Sequence, residues 1–246
     1  MIKGRDMKKY DVIAFDLDGT LSDPARGLIR GFVYCFKKLN MPYESEEWLH
    51  RYIGPSLYEE WQEDFGFTPD EANAAIEVFR EYYNVYGWWD NTLYDGIPEM
   101  LGALKAAGKT VVLATSKPLD TAKKVLELFG LTEYFDFIGG AGNHQNDQKW
   151  QVLKWSLESV GIDVSSESDL SRCILVGDRK YDAEGARIVG IDSMGVMYGH
   201  GDFSELSTSG FTTLVERVED LTASLIYLPI VLIPLIIIRS FLIIFL

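Results

Sequence analysis

Short apolar runs that end in a polar residue and lead into a helical pattern constrain this chain of 246 residues more than any other feature. The clearest runs are 10–15 ending at Asp16, 110–114 ending at Thr115, and 172–176 ending at Gly177-Asp178. Shorter candidates lie at 134–138 and 193–198. Apolar runs without strict alternation are typical of strands buried on both faces, as in a parallel sheet. Strands that alternate with helices predict an α/β fold with a doubly wound parallel sheet.

The stretch 23–90 interrupts this alternation, because it carries helical stripes and no convincing strand pattern. One apolar stripe runs over 25–36 and another over 72–86. The second follows Thr68-Pro69-Asp70-Glu71, which supplies a Thr N-cap, a Pro at the first helical position and a Glu at the third. We therefore expect a small helical cap at 23–90, inserted into a core made of 1–22 and 91–224.

The composition limits the classes of partner. Lys and Arg number 23 against 37 Asp and Glu, a formal net charge of −14, which argues against a nucleic-acid-binding surface. Cys35 and Cys173 fit no metal-ligand spacing, and the charged N-terminus does not have the pattern of a signal peptide. The expected compartment is the reducing cytoplasm.

Polar side chains at the ends of parallel strands meet at one edge of a sheet, where ligands bind in open α/β folds. This places Asp16, Thr115 and Asp178 together. In the segment Asp16-Leu17-Asp18-Gly19-Thr20, two carboxylates can serve as a nucleophile and an acid/base, and Gly19 permits a tight turn. Because two unassisted carboxylates repel, a bound cation or a shared proton is expected.

At this point the chain resembles the phosphatases of the haloacid dehalogenase superfamily, in the branch of phosphoglycolate phosphatases and 5′-nucleotidase-like hydrolases. The resemblance covers roughly residues 10–221. The segments that match its four motifs in order are 16–21, Thr115 within 113–118, Lys149 before the Trp150 helix, and 177–182. The resemblance implies a Rossmann-like core with a helical cap, and hydrolysis of a small phosphorylated molecule with Mg²⁺.

The resemblance also implies catalytic roles. Asp16 would attack phosphorus and form an aspartyl-phosphate. Asp18 would protonate the leaving oxygen and then accept a proton from water. Mg²⁺ would be held by the Asp16 carboxylate, the Asp18 backbone carbonyl and Asp178, which are hard oxygen ligands.

Further matched residues are expected to bind the phosphoryl group. Thr115 and Ser116 would contact its oxygens, and Lys149 would neutralise Asp16 and the incoming phosphate. Asp182 would position Lys149 or a metal-bound water. Many relatives place Pro after this lysine, whereas Trp150 follows here, so Lys117 and Lys154 are the substitutes if Lys149 does not fill the role.

Specificity is expected to reside in the cap. Arg51, beside Ile53-Gly54-Pro55, is a candidate anion contact, with a solvated helix-end arginine as the alternative reading. His144 is expected to be a loop residue, and no metal-spaced histidine cluster is expected for it with His50 and His200.

Other functions stay open. A phosphomutase would use the same core residues and transfer phosphate to a second substrate hydroxyl. A non-catalytic module would use Asp16 only as a phospho-acceptor. A dehalogenase has no leaving oxygen to protonate, so Asp18 favours phosphoryl transfer. The particular metabolite and the oligomeric state are undetermined.

The C-terminal segment 225–246 is almost wholly apolar and long enough to span a bilayer. A tail anchor that attaches a cytoplasmic phosphatase to a membrane is one interpretation. Arg239, Pro229, Pro234 and the acidic flank at 216–220 weaken it. The alternatives are a helix packed on the core or an extension without function, and in each case we expect 225–246 to be dispensable for catalysis.

Overall fold

The computed structural model describes residues 10–142 and 148–226. Its strands are β1 (Val12–Phe15), β2 (Ser22–Asp23), β3 (Thr92–Leu93), β4 (Thr110–Pro118), β5 (Phe137–Ala141), β6 (Cys173–Gly177), β7 (Asp192–Val196) and β8 (Thr213–Val215). Its α-helices are α1 (Ala25–Leu39), α2 (Leu57–Phe65), α3 (Pro69–Tyr82), α4 (Ile97–Ala106), α5 (Leu119–Leu128), α6 (Lys149–Ser159), α7 (Glu167–Leu170), α8 (Lys180–Val189), α9 (Phe203–Thr208) and α10 (Val218–Ile226). Two 3₁₀ turns, Trp48–Tyr52 and Thr132–Tyr134, and a π-helical turn, Tyr83–Gly87, complete it.

One parallel sheet forms the centre of the molecule, with strand order β5-β4-β1-β6-β7-β8. The doubly wound α/β prediction is confirmed. In the central register Phe15 of β1 lies opposite Leu113 of β4 and Val176 of β6. The three strands are in register at this level, so Asp16, Thr115 and Asp178, which lie just beyond it, share one edge.

Some strand boundaries predicted from the sequence were wrong. The run at 134–138 begins too early, since Thr132–Tyr134 forms a 3₁₀ turn and β5 starts at Phe137. Strand β4 continues past Ala114 to Pro118, with an irregular register after Thr115. Strand β8, at the edge of the sheet, was not predicted from the sequence.

Apolar side chains cover both faces of this sheet, because successive residues of a strand point to opposite sides. In β1, Ile13 and Phe15 join the cluster that includes Val176, whereas Val12 and Ala14 join the cluster on the other face. This burial on both faces explains why the strand sequences show apolar runs without alternation.

The segment between β2 and β3, residues 24–91, is called the helical insertion from here on. Its helices enclose an apolar cluster of their own, in which the side chains of Phe32, Phe36 and Trp61 are fully buried. Burying one such side chain contributes about 1.5–3 kcal/mol relative to leaving it exposed. The predicted capping box is present, with the Thr68 side chain accepting from Glu71 N. The division of the chain into cap and core stays a prediction.

Paired strands and side-chain contacts join the helical insertion to the sheet. Strands β2 and β3 pair antiparallel at its base. The Tyr181 hydroxyl donates to Glu60 at 2.6 Å, and the Arg179 guanidinium donates to the Ile53 carbonyl. The insertion leaves the sheet directly after the loop that carries Asp16 and Asp18, so it covers the carboxyl edge.

Helix α10 bears on the C-terminal prediction. Leu221 and Leu225 are both buried in the cluster that contains β1, so the expected boundary at 225 falls inside a packed helix. A truncation after Ala223 would remove a core residue. Within the described residues no helix is long and apolar enough to cross a membrane. Residues 227–246, most of the predicted tail, and His144 lie outside the described residues.

Candidate active site

Asp16 lies at the end of β1, where the central strand meets the loop to β2. Its side chain is buried. One oxygen, Oδ1, accepts a hydrogen bond from Leu17 N at 2.7 Å, and the other, Oδ2, lies 2.9 Å from Lys149 Nζ. The carboxylate is therefore fixed in orientation by its own loop and by a lysine from α6.

Lys149 is the first residue of α6 and bridges two carboxylates. Its Nζ lies 2.7 Å from Asp182 Oδ1 as well as close to Asp16. Burial alone would lower the pKa of Lys149, but Asp16 and Asp182 outweigh it and raise that pKa above its ordinary value. The lysine therefore stays charged. Of the two substitutes, Lys154 is half-exposed and lies 4.0 Å from Glu158, away from this cluster.

Asp178, at the end of β6, completes a set that we call the charged cluster: Asp16, Lys149, Asp178 and Asp182. Oxygens of the three carboxylates lie within 4.8 Å of one another, and all three residues are buried. Burial, with Asp182 and Asp16 close by, raises the pKa of Asp178 to about 7. Among the described residues no lysine or arginine pairs with Asp178. Three buried carboxylates with one lysine leave negative charge uncompensated, and their hard oxygen donors fit a divalent cation such as Mg²⁺.

Backbone groups of neighbouring loops pack closely around the Asp178 side chain. Its Oδ2 accepts from His200 N at 2.7 Å, and Thr20 Oγ1 donates to Oδ1 at 3.3 Å. Gly19 has φ +78°, and a Cβ placed there would lie 2.0 Å from Asp178 Oδ2. The glycine predicted for a tight turn is thus required for two reasons, a left-handed backbone and the space that the carboxylate occupies.

Asp18 pairs with a second buried lysine. Lys117 Nζ lies 2.5 Å from Asp18 Oδ2, whereas Asp18 Oδ1 has no hydrogen-bond partner among the described residues. The sequence pattern indicates Lys117 only as a substitute for Lys149 and does not predict this pair. The two residues are 99 positions apart, and no local pattern connects them.

Thr115 and Ser116 lie where β4 becomes irregular, beside the cavity that Asp16 and Asp18 also line. Thr115 is buried, and its hydroxyl oxygen accepts from Lys117 N at 3.2 Å. The hydroxyl hydrogen is then free to be donated to a ligand. Ser116 also borders a smaller neighbouring cavity with Lys149.

This cavity lies between the sheet edge and the helical insertion and has a volume of about 430 Å³. Its core side includes Asp16, Asp18, residues 115–118 at the end of β4, Thr121, Ala141 and Gly142. The insertion contributes mainly apolar and aromatic side chains, with a few polar ones: Leu28, Phe32, Tyr52, Leu57, Tyr58, Ile76, Phe79, Arg80, Tyr83 and Asn84. Phe79 and Tyr83 belong to a stripe that the sequence predicted as an apolar helix face. The sequence pattern did not show that Phe79 and Tyr83 also line a cavity, or that Arg80 does so.

Arg51 does not line this cavity. Its guanidinium lies 3.5 Å from Asp64 and against the rings of Trp48 and Tyr52, with the side chain 47% exposed. The arginine that lines the cavity is Arg80. The structure therefore brings together the predicted core residues and leaves the predicted cap residue outside.

His50 and His200 lie near one another without forming a metal site. Their ring centroids are 6.3 Å apart, and His200 Nε2 lies 3.1 Å from Asp23 Oδ1. In the described part of the chain, the side chains whose ligand atoms lie close enough together to hold a metal ion are the three aspartates of the charged cluster.

Comparison with known proteins gives a consistent result. A family model described as haloacid dehalogenase-like hydrolase matches residues 13–196. The chain is 34% identical over 199 residues to a 5′-nucleotidase from Pseudomonas aeruginosa, covering 80% of this chain and 87% of that protein. It is 32% identical over 217 residues to tyrosine-protein kinase PtkA from Mycobacterium tuberculosis, covering 87% and 72% respectively.

A solved structure agrees with this match. The crystal structure of a predicted phosphatase from Clostridium acetobutylicum superimposes with a TM-score of 0.81 at 35% sequence identity. The superposition covers 87% of this chain and 97% of that chain, so it includes both the sheet and the helical insertion.

Proposed function

This chain belongs to the haloacid dehalogenase-like hydrolase family and is a phosphatase, and on that premise we propose that it hydrolyses a small phosphomonoester with Mg²⁺ through a phosphorylated Asp16. The observation that carries the proposal is the charged cluster, of which Asp16 lines the cavity and Lys149 lines the smaller cavity beside it. This cluster combines Asp16, an oriented buried carboxylate, with a charged lysine and two further buried carboxylates, Asp178 directly after β6 and Asp182 in α8.

In the first step an Asp16 carboxylate oxygen attacks phosphorus. The bond between phosphorus and the leaving oxygen breaks, and that oxygen takes a proton from Asp18. The products are the released alcohol and an acyl phosphate on Asp16. Lys149 and the Thr115 hydroxyl are the groups that balance negative charge on the phosphoryl oxygens.

In the second step water attacks the same phosphorus atom and gives a proton to Asp18. The bond between phosphorus and Asp16 breaks, so inorganic phosphate leaves and both aspartates return to their starting states. Asp18 acts as acid and then as base, which requires a carboxyl oxygen free to reach the reacting atoms. Its Oδ1 is buried and has no competing hydrogen-bond partner among the described residues, which supports its use in this exchange.

The residues that would hold Mg²⁺ are Asp16, Asp178 and the Asp18 backbone carbonyl, with the Asp182 carboxylate nearby. When bound, the ion supplies Lewis-acid stabilisation of charge on phosphoryl oxygens. The chain's own part is to keep these carboxylates buried and close together, and Lys149 limits their mutual repulsion.

The cavity favours a substrate whose leaving group is larger and less polar than glycolate. A volume of about 430 Å³ with aromatic walls from Phe32, Phe79 and Tyr83 suits a ring system, and Arg80 and Asn84 supply polar contacts. A nucleoside monophosphate combines these properties, and the similarity to a protein named 5′-nucleotidase supports the same class.

A phosphate-release assay tests this function. Purified protein is incubated with p-nitrophenyl phosphate, nucleoside 5′-monophosphates, sugar phosphates and phosphoglycolate, each with Mg²⁺ and with chelator. We expect Mg²⁺-dependent release, fastest with nucleoside monophosphates among the metabolites. Folded protein that releases phosphate from none of them would refute the proposal, and a preference for phosphoglycolate would refute the substrate class.

Transfer of the phosphoryl group to a second hydroxyl is the alternative, as in a phosphomutase. The similarity to a protein named tyrosine-protein kinase gives it a specific reason. The same assay distinguishes the two when acceptor alcohols are added. A phosphatase releases phosphate and alcohol in equal amounts, whereas a transferase forms a phosphorylated acceptor in place of free phosphate.

A further inference from the structure

Lys117 is a buried cation that the steps above do not use. Its side chain is 3% exposed, and its Nζ lies 2.5 Å from Oδ2 of Asp18, whose side chain is 13% exposed. Among the described residues its ion-pair partner is this carboxylate alone. A lysine loses solvation on burial, so the position calls for an explanation beyond a surface ion pair.

The pair leaves Asp18 with one held oxygen and one free oxygen. Lys117 contacts Oδ2, whereas Oδ1 is buried without a hydrogen-bond partner in the described chain, and Asp18 is one of the residues that line the cavity. Lys117 N also donates to Thr115 Oγ1 at 3.2 Å. The irregular end of β4 therefore orients both a phosphoryl-contacting hydroxyl and the proton donor.

We propose that Lys117 is a positioning residue for Asp18, holding Oδ2 so that Oδ1 exchanges protons with the leaving oxygen and then with water. This role rests on the proposed phosphatase chemistry. It makes a testable distinction, because a residue that acts through the proton donor matters most for substrates whose leaving group needs a proton.

The helical insertion contributes to the same arrangement. Lys117 Nζ lies 5.3 Å from the ring centroid of Tyr83, the first residue of the π-helical turn. That ring stacks on Phe79, with centroids 5.1 Å apart, and both side chains are buried. An aromatic face stabilises a nearby ammonium group. The insertion therefore covers the lysine from the side opposite the sheet.

Burial alone would lower the pKa of Lys117, but Asp18 and then Tyr83 outweigh it and raise that pKa above its ordinary value. A neutral side chain of similar length, as in Lys117→Met, keeps the packing volume and removes the charge.

The experiment compares kcat for p-nitrophenyl phosphate with kcat for the alkyl phosphomonoester that the wild type hydrolyses fastest. General acid catalysis contributes about 10²–10⁴-fold, so partial misplacement in Lys117→Met should slow the alkyl substrate by about tenfold or more and the aryl substrate by less than about threefold. Lys117→Gln, which keeps a donor, should lie between this variant and the wild type.

A double mutant isolates the coupling to Asp18. In the Asp18→Asn background, Lys117→Met should change kcat for the alkyl substrate by less than about twofold, because residues acting as a unit are not additive. Lys109→Met is the matched control, a buried lysine just before β4 that donates to the Tyr10 carbonyl away from the site. It should lower thermal stability and leave the alkyl-to-aryl ratio unchanged.

Equal slowing of both substrates by Lys117→Met, or a full additional loss in the Asp18→Asn background, would overturn the positioning role while leaving the phosphatase function intact. Absence of phosphate release by the folded wild type would instead overturn the function on which the role rests. Thermal melts of each variant identify any that does not fold, and Lys117→Gln then provides the comparison.

Discussion

At the carboxyl edge of the sheet the buried side chains near the cavity are charged, whereas in the helical insertion above it they are mainly aromatic. Asp16, Asp178 and Lys149 lie within one cluster at the edge. Phe32 and Phe79, on the insertion side, stack with ring centroids 5.0 Å apart. Under the proposed function, the charges that would stabilise a phosphoryl group are therefore separated from the surfaces that would bind the rest of the substrate.

This separation has a physical basis. Parallel strands end at one level, so a few residues after each strand are held rigidly close together, as charge stabilisation requires. Substitutions at cavity-facing positions of a helical insertion leave the arrangement of these strand-end residues unchanged. Variants of the charged cluster should therefore lower turnover of every substrate, whereas insertion variants should affect one substrate relative to another.

The largest effect is expected for Asp16→Asn. Turnover should fall by about 10⁴-fold or more, the scale on which removal of a nucleophile acts. Asn is nearly isosteric, so circular dichroism and the melting profile should show a folded protein. The loss should be equal for all substrates in the panel. Substantial phosphate release by this variant would mean that another residue is the nucleophile.

Gly19→Ala tests how tightly the edge is built. The new Cβ would lie 2.0 Å from Asp178 Oδ2 and displace that carboxylate, and a misplacement of this kind can lower activity by about 10²-fold. Gly108→Ala is the matched control, since Gly108 has φ +72° and a Cβ added there would meet no atom within 4 Å. It should cost about 1–2 kcal/mol of stability and leave turnover unchanged. Similar turnover in both variants would refute the close packing on Asp178.

Sequence reasoning predicted the edge well because its information is local. Each of Asp16, Thr115, Lys149 and Asp178 follows a recognisable strand or opens a helix, so position along the chain implies position in space. The structure places all four near the same site. The Lys117–Asp18 pair was missed because it depends on the register of two strands rather than on any local pattern.

The insertion was predicted in outline but not in its cavity-facing side chains. An apolar stripe identifies the buried face of a helix and cannot show that part of this face lines a cavity, as Phe79 and Tyr83 do. Arg51 was chosen for its neighbouring Gly-Pro turn, yet the fold turns it toward Asp64. Helix α10 also continued past the predicted boundary, since its apolar residues merge with the apolar segment that follows.

Arg80 and Arg51 offer a matched pair for the insertion. Both are partly exposed and both lie near a carboxylate, Glu77 and Asp64 respectively, but only Arg80 lines the cavity. Arg80→Ala should lower kcat/KM for the best metabolite by about 3- to 10-fold, the scale of one partly exposed hydrogen bond. Arg51→Ala should change it by less than about twofold on the same reasoning. The reverse result would place the anion contact at Arg51.

The raised pKa of Asp178 should make the stability of the protein depend on pH, which is a smaller effect than those above. Raised to about 7 by burial and by Asp182 and Asp16, this carboxyl keeps a proton in the folded chain that the unfolded chain gives up near its ordinary pKa. Metal-free protein should lose stability as the pH rises from about 4 through about 7. Mg²⁺ needs the deprotonated form, so it should raise Tm more at about pH 8 than at about pH 5.5.

With Mg²⁺ at about 100 times its Kd, the gain at the higher pH should be roughly 5–10 °C. Asp178→Asn should abolish most of this gain, and thermal melts with and without chelator measure it. An equal gain at both pH values, or an unchanged gain in Asp178→Asn, would show that Asp178 does not take part in holding the ion.

Chemical trapping on Asp16 tests the central claim most directly. Enzyme in turnover with its best substrate is quenched in acid, digested and analysed by mass spectrometry, with Asp16→Asn as the control. The account predicts one phosphoryl group on the peptide that contains Asp16, removed by hydroxylamine as an acyl phosphate should be, and none in the control. A phosphoryl group on a different residue, with full turnover, would contradict it.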